Sequence, residues 1–245
     1  MKRSHYVISA GVAAGLAGLT LAAKAAFPAA GEIELEEAKV LIEWNSTASD
    51  FGIHFSWDGP AWRSMSVENE RGQEALSIRT KRNLRSQGLT EGFFESAEPP
   101  TSELSLAQFR ARFPEGTWQF EGETLDGHRL VGDADFSHTL PAPPAGLSPA
   151  AGDVVSRLGF TITFDPVTQD IDGHAIQVAY YEVEVEKIVD EPIVQRLDLI
   201  LRPAVTSVGV PAAFLEPGTE YKYEVIAVLD GGNSTITESG TFTTD

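Results

Sequence analysis

The stretch FLEPGTEYKYEVIAV, residues 214–228, constrains this chain more than any other. Tyr221, Tyr223 and Val225 alternate with charged residues, and Ile226 and Val228 follow after a switch of face. A β-branched and aromatic run of this kind is the composition of a half-buried strand. Ahead of it, Pro217 and Gly218 suit a turn, because proline presets φ and glycine accepts positive φ. A tyrosine just after such a turn lays its ring on a core while its hydroxyl reaches back to upstream backbone. That tyrosine corner pins two packed sheets together.

The pattern Leu215-x-Pro217-Gly218-Thr219-x-Tyr221-x-x-x-Val225-x-Ala227 resembles the fibronectin type III family at its E–F corner and F strand. The competing reading is an unrelated hairpin with a Pro-Gly turn. The resemblance covers roughly residues 154–245 and implies a β-sandwich used as a spacer or interaction module. Such modules commonly stand beside adhesion or polysaccharide-degrading units. Phe164 takes the place of the large aromatic that the family carries in an early strand. Residues 160–164, 175–188, Leu197 to Leu201 by alternate positions, and 237–244 read as its other strands.

Before it, residues 32–140 read as a first domain of mostly strands. Runs at 40–44, 52–57, 62–67, 76–79 and 92–95 are apolar-rich or alternating, with turn residues at 45–50, 58–61 and 70–72. One helix is predicted, capped by Ser102 or Ser105, with Leu104, Leu106, Phe109 and Phe113 on one face and Pro114 stopping it. Asp126-Gly127 joins two further strands as a hairpin. Residues 113–120, FPEGTWQF, place Pro, Gly, Thr and an aromatic in the same order as 215–223, with the register off by one. The first domain is therefore predicted to be a related Ig-like sandwich. Residues 141–152, PAPPAGLSPAAG, read as a semi-rigid linker, and 153–245 as the fibronectin type III-like domain.

The N-terminus reads as an export signal over residues 1–25. Lys2 and Arg3 precede an uncharged stretch at 6–23, and Ala23-Lys24-Ala25 supplies small residues for cleavage. The alternative, an uncleaved anchor, asks for a longer and more apolar span. Cleavage would take Lys2, Arg3 and Lys24 and no acidic residue, moving the formal charge from −18 to −21. So acidic a chain excludes nucleic acid and anionic lipid as partners, since both need a basic face. With no cysteine it has neither disulfides nor thiol chemistry.

Candidate sites are few. Arg79, Lys81, Arg82 and Arg85 form the single basic cluster after the signal. It reads either as a solvated loop neutralised by Glu91, Glu95 and Glu98, or as a site for an anionic, sulfated or phosphorylated surface polymer. Trp57 and Trp62 flank the segment Asp58-Gly59-Pro60-Ala61 within a group holding Trp44, Phe51 and Phe55. Exposed, they would form a platform for sugar rings; buried, they are core. Asp170-Ile171-Asp172-Gly173 imitates the start of a calcium loop, but Tyr181 stands where a closing glutamate is required. Asp50 and Asp58 are a second calcium candidate. His128 and His138 face across the predicted hairpin, yet two histidines fall short of a zinc site. Asn45-Ser46-Thr47 and Asn233-Ser234-Thr235 fit glycosylation sequons. No nucleophile elbow, phosphate loop or zinc-protease motif occurs.

The expectation is an all-β, secreted or periplasmic, non-enzymatic binding or surface-structural protein without a cofactor or metal. Its partner would be a protein or an extracellular polysaccharide. The alternative is carbohydrate binding by Trp57 and Trp62, and a divergent hydrolase with paired carboxylates in a cleft comes third.

Overall fold

A computed structural model describes residues 31–188 and 195–245. The predicted export signal at 1–25 lies outside the described residues. The architecture is all-β, as expected. The first domain comprises β1 (Glu32–Glu34), β2 (Glu37–Asn45), β3 (Asp50–Glu68), β4 (Glu74–Arg79), α1 (Arg82–Gln87), β5 (Leu89–Glu95), α2 (Leu106–Arg112), β6 (Gly116–Thr124) and β7 (Arg129–Phe136).

β3 runs through what the sequence divided into two strands. Its first half pairs antiparallel with β2 and β5, and its second half with β6 and β4. The register slips between Asp58 and Trp62, where Pro60 has no N–H to donate and Asp58 Oδ1 accepts the Gly59 N–H at 2.8 Å. The ladder is interrupted there, so the strand bends instead of ending. One long strand thus holds different neighbours on its two halves, and the sheet packs around Trp57, Trp62, Trp118, Phe120 and Phe136.

Of the two serines that could cap the predicted helix, Ser105 does so. Its hydroxyl accepts from the Gln108 N–H, and the Gln108 side chain accepts from the Ser105 N–H, a reciprocal capping box. Phe109 is the buried anchor of this helix. A second helix, α1, occupies residues expected to be a loop and buries no side chain.

The second domain follows with β8 (Val154–Val155), β9 (Gly159–Thr163), β10 (Tyr180–Lys187), β11 (Arg196–Leu201), β12 (Ser207–Pro211), β13 (Glu220–Val228), β14 (Ser234–Glu238) and β15 (Phe242–Thr244). β9 and β12 form one sheet, and β11, β10, β13 and β14 the other, with β15 also on β13. The Tyr221 hydroxyl accepts the Glu216 N–H at 2.8 Å and donates toward the Phe214 carbonyl at 3.4 Å. This is the predicted tyrosine corner. Phe164 packs edge-on against Tyr181 with ring centres 4.8 Å apart. The domain has a fibronectin type III-like fold. The shared residue order at 113–120 also has a physical basis. Trp118 begins its strand as Tyr221 does, and its indole N–H reaches back to the Pro114 carbonyl at 3.0 Å.

Residues 141–152, read as a semi-rigid linker, run against the second domain. The Ala142 N–H donates to Gln169 O, and Ser148 and Thr163 exchange both backbone hydrogen bonds at 2.9 Å. Ala142 and Leu147 pack on the second core, and the Tyr223 hydroxyl donates to Pro149 O at 3.0 Å. The prolines that suggested a spacer are compatible with an edge segment, where a missing N–H costs little.

The domains are joined by a strand pair. β14 lies parallel to β2, with Ser234, Thr235 and Ile236 opposite Glu43, Trp44 and Asn45. Hydrogen-bonded strands therefore run without a break from β1 to β11. Asn233 locks this seam. Its Oδ1 accepts the Ile42 N–H at 2.8 Å, and its Nδ2 donates to the carbonyls of Ser137 and Thr139, both at 2.9 Å. Asn45 is engaged likewise, accepting from the N–H groups of Thr47 and Ala48. Both sequon asparagines are buried, so neither offers its amide to a glycan in the folded chain.

Candidate functional site

The sugar platform does not form. Trp57 and Trp62 are 1% and 0% exposed. Trp57 stacks on Phe94 at 5.2 Å and lies over Gly92, where an added Cβ would meet its indole at 2.3 Å. Packing decided against the alternative function because β3 bends at Gly59-Pro60 and turns both indoles inward.

The basic cluster is exposed throughout. Arg79 ends β4, while Lys81, Arg82 and Arg85 lie on or beside α1. Among the described residues none of the four forms an ion pair. Of the expected neutralising partners, Glu98 turns toward Glu43 and His54, while the Glu123 carboxyl is held below the usual range by Arg63 and also by Arg79 and Arg85. An open groove of about 280 Å³ adjoins Arg79, floored by Met65 and Gly122 and edged by Glu74, Glu121 and Glu123.

The calcium and histidine candidates do not assemble. Asp50 and Asp58 sit at opposite ends of one straight half of β3, about 27 Å apart at the rise of an extended strand. Asp170 spends its Oδ1 on the N–H groups of Asp172 and His174, which makes the loop a closed turn. His128 and His138 flank opposite ends of β7, so they never meet.

A different cluster does come together. Glu43 on β2 is opposite Gly52 on β3, and His54 follows two residues on, so Glu43 and His54 are diagonal neighbours on one face. Glu98 reaches the same face from the segment after β5. That segment is fastened where Ser96 N–H donates to Ile53 O at 3.0 Å and Ser96 Oγ accepts from Ile53 N–H at 3.1 Å. Gly52 leaves the space Glu98 occupies, because a Cβ there would stand 2.4 Å from Glu98 Oε1 and 3.2 Å from its stem. One ligating atom from each of Glu43, His54 and Glu98 lies within 4.8 Å of the others.

The electrostatics of this trio are unusual. Burial pushes the Glu43 carboxyl up to about 7, against the pull of His54. Burial alone would lower the His54 pKa, but Glu98, Glu43 and Glu95 outweigh it and the net shift is upward. His54 is 6% exposed and its Nε2 has no hydrogen-bond partner; Glu98 Oε1, at 4.0 Å, is too distant to be one. Sequence reading missed the group because its members are scattered along the chain. The available signal was polar residues interrupting apolar runs, Glu43 between Ile42 and Trp44, and His54 between Ile53 and Phe55.

The outer face of the second domain carries another acidic group. Glu182, Glu184 and Glu186 of β10 face Asp198, Glu224 and Glu238, with Arg196 and Lys222 between them. Burial drives the Glu184 carboxyl up to about 7, although Arg196 opposes it at 2.9 Å. The folded chain then holds a proton between about pH 4.5 and 7 that the unfolded chain has released. Stability should rise as pH falls through that window and be lost as pH rises through 7. After allowance for solvent screening, Glu184 is expected to contribute about 1–2 kcal/mol between pH 7.5 and pH 4.5. Because Glu43 is raised in the same window, the Glu184 share is read as the difference between parent and Glu184→Gln in how far the urea midpoint moves between the two pH values. Glu184→Gln should show a smaller difference than the parent, and an equal or larger one refutes the assignment.

No family model matches the chain, and no curated protein matches it in sequence. Among solved structures, it is similar to the FN1-FN3 domains of chicken CNTN1, at 13% identity and a TM-score of 0.39. That match covers 86% of this chain and 66% of the other. It is also similar to the third fibronectin III domain of the human KIAA0343 protein, at 19% identity and a TM-score of 0.31, over 43% of this chain and 79% of that one. Among the described residues, no helix is long and apolar enough to cross a membrane.

Proposed function

We propose that this chain is an exported, non-enzymatic binding or surface-structural protein that presents its basic β4–α1 segment to an anionic surface polymer, sulfated or phosphorylated. The fibronectin type III-like domain serves as the spacing unit, held to the first domain by the β2–β14 seam. The observation that carries this reading is the exposure of Arg79, Lys81, Arg82 and Arg85 without an ion pair among the described residues. Four cations gathered in seven residues offer several charge-assisted contacts to one polyanion. The acid on which Arg79 and Arg85 act, Glu123, is already paired with Arg63, and carboxylates more than about 8 Å away are largely screened at physiological salt. Export is supported by the charged start and uncharged small-residue stretch of residues 1–25.

The test is binding of the full chain to immobilised sulfated polysaccharide and to a phosphate-rich polymer at about 0.15 M salt. The variant replaces Arg79, Lys81, Arg82 and Arg85 together by glutamine. All four are exposed, so stability should move by no more than about 0.5 kcal/mol per site. At least a tenfold loss of affinity is expected, with a weaker salt dependence in the variant. Parent binding to neither polymer, or equal binding by parent and variant, ends the proposal and leaves a protein partner as the reading to pursue.

A further inference from the structure

We propose that Glu43, His54 and Glu98 form a binding site for a divalent first-row transition ion, with zinc the best fit. The three groups offer one imidazole nitrogen and two carboxylates. A nitrogen with two oxygens suits zinc, manganese or iron, whereas calcium asks for six to eight oxygens and magnesium keeps most of its water. Three protein ligands leave a fourth position of a tetrahedron for water.

Two independent features point to an ion. The first is His54, whose buried Nε2 has no partner in its own fold and lies 4.0 Å from Glu98 Oε1. A buried polar atom without a hydrogen bond costs free energy that a ligand bond would recover. The second is steric. Gly52 leaves room for the Glu98 side chain across β3, so that its carboxylate ends beside His54 and Glu43.

The geometry needs little adjustment. Ligand bonds of about 2.0–2.2 Å place tetrahedral donors about 3.4 Å apart. The trio already lies within 4.8 Å, so rotamer shifts of an ångström or so close it. Two carboxylates and a neutral imidazole would balance the charge of the ion. Beside the trio, Asp50 presents a buried, unpaired Oδ1 that can accept from an ion-bound water. Because Glu43 lies on the strand that pairs with β14, a bound ion would brace β2, β3 and the Glu98 segment next to the domain seam.

The experiment titrates the chelator-treated full chain with Zn²⁺, and separately with Mn²⁺, using Mg²⁺ at equal concentration to measure general attraction to an acidic surface. Calorimetry should give one zinc per chain, accompanied by a rise in the thermal midpoint. Zinc should shift the imidazole nitrogen resonances of His54 and leave those of His128, His138 and His174 in place. Glu98→Gln should weaken zinc binding at least about tenfold, the scale on which even supporting residues of metal sites act. Gly52→Ala retains all three donors, so its weaker binding would report displacement of Glu98. His54→Gln completes the set; if it fails to fold, Glu98→Gln and the His54 resonance decide. Zinc that binds no better than magnesium, a bound ion that leaves His54 unmoved, or an unchanged affinity in Glu98→Gln overturns the site.

Discussion

Asn233→Ala is expected to lower the unfolding free energy by about 2–4 kcal/mol: the buried Ile42 N–H left without a partner costs about 1–3 kcal/mol, and each of the two part-buried hydrogen bonds lost about 0.5–1 kcal/mol. The side chain bonds the Ile42 N–H and the carbonyls of Ser137 and Thr139, and alanine replaces none of these. A loss of that size is a large share of the 5–15 kcal/mol typical of a domain. It also falls between two cores, so the effect should be on cooperativity as well as on the midpoint. All four tryptophans, Trp44, Trp57, Trp62 and Trp118, lie in the first domain, and Trp44 stands opposite Thr235 at the seam, so their fluorescence follows that domain and the seam but not the second core. Far-ultraviolet circular dichroism follows both. In the parent the two signals should change together in urea, and in Asn233→Ala they should separate. Coincident transitions at the parental midpoint would show that the seam does not couple the domains.

Trp57→Ala should cost about 3–5 kcal/mol, the usual range for removing a large aromatic from a packed core. The indole is 1% exposed, stacks on Phe94, and packs against Trp62 and Phe120 with ring centres 5.7 and 5.9 Å away. The structure around it cannot readily collapse, because Gly92 has no side chain to move into the vacated space. Trp57→Phe should retain more than half of the lost stability, since a phenyl ring still reaches Phe94. The urea midpoint followed by circular dichroism distinguishes the two variants. A soluble Trp57→Ala chain with the parental midpoint would return the residue to the surface and reopen the sugar-platform reading.

The two predictions test different kinds of information. Trp57 carries a local signal, an aromatic in an alternating run, which indicates a strand but not the side on which it is buried. Orientation came from the irregularity at Gly59-Pro60, where the register slips and β3 exchanges β2 for β6 as its neighbour. Asn233 carried a misleading signal. Asn-Ser-Thr beside Gly-Gly looks like an exposed turn, and only the neighbouring domain makes it a buried connector.

The fold was legible where its cause is local. Turn chemistry at Pro217-Gly218 and alternation through Tyr221, Tyr223 and Val225 sufficed to place the tyrosine corner and the fibronectin type III-like sheet around it. Capping at Ser105 and the Asp126-Gly127 hairpin were readable for the same reason. For residues 141–152, proline signals a stiff extended segment, and only the tertiary structure shows which strands lie alongside it.

The sequence by itself determined most of the segments that become strands and several of their turns, because those preferences reside in neighbouring residues. It also determined the acidity, the absence of thiols and the place of the basic cluster at residues 79–85. The tertiary structure alone decided that the two domains share a sheet, that both candidate tryptophans are core, and that Glu43, His54 and Glu98 meet. Those outcomes depend on strand register and on which faces are covered, and both are settled only when segments far apart in the chain pack against each other.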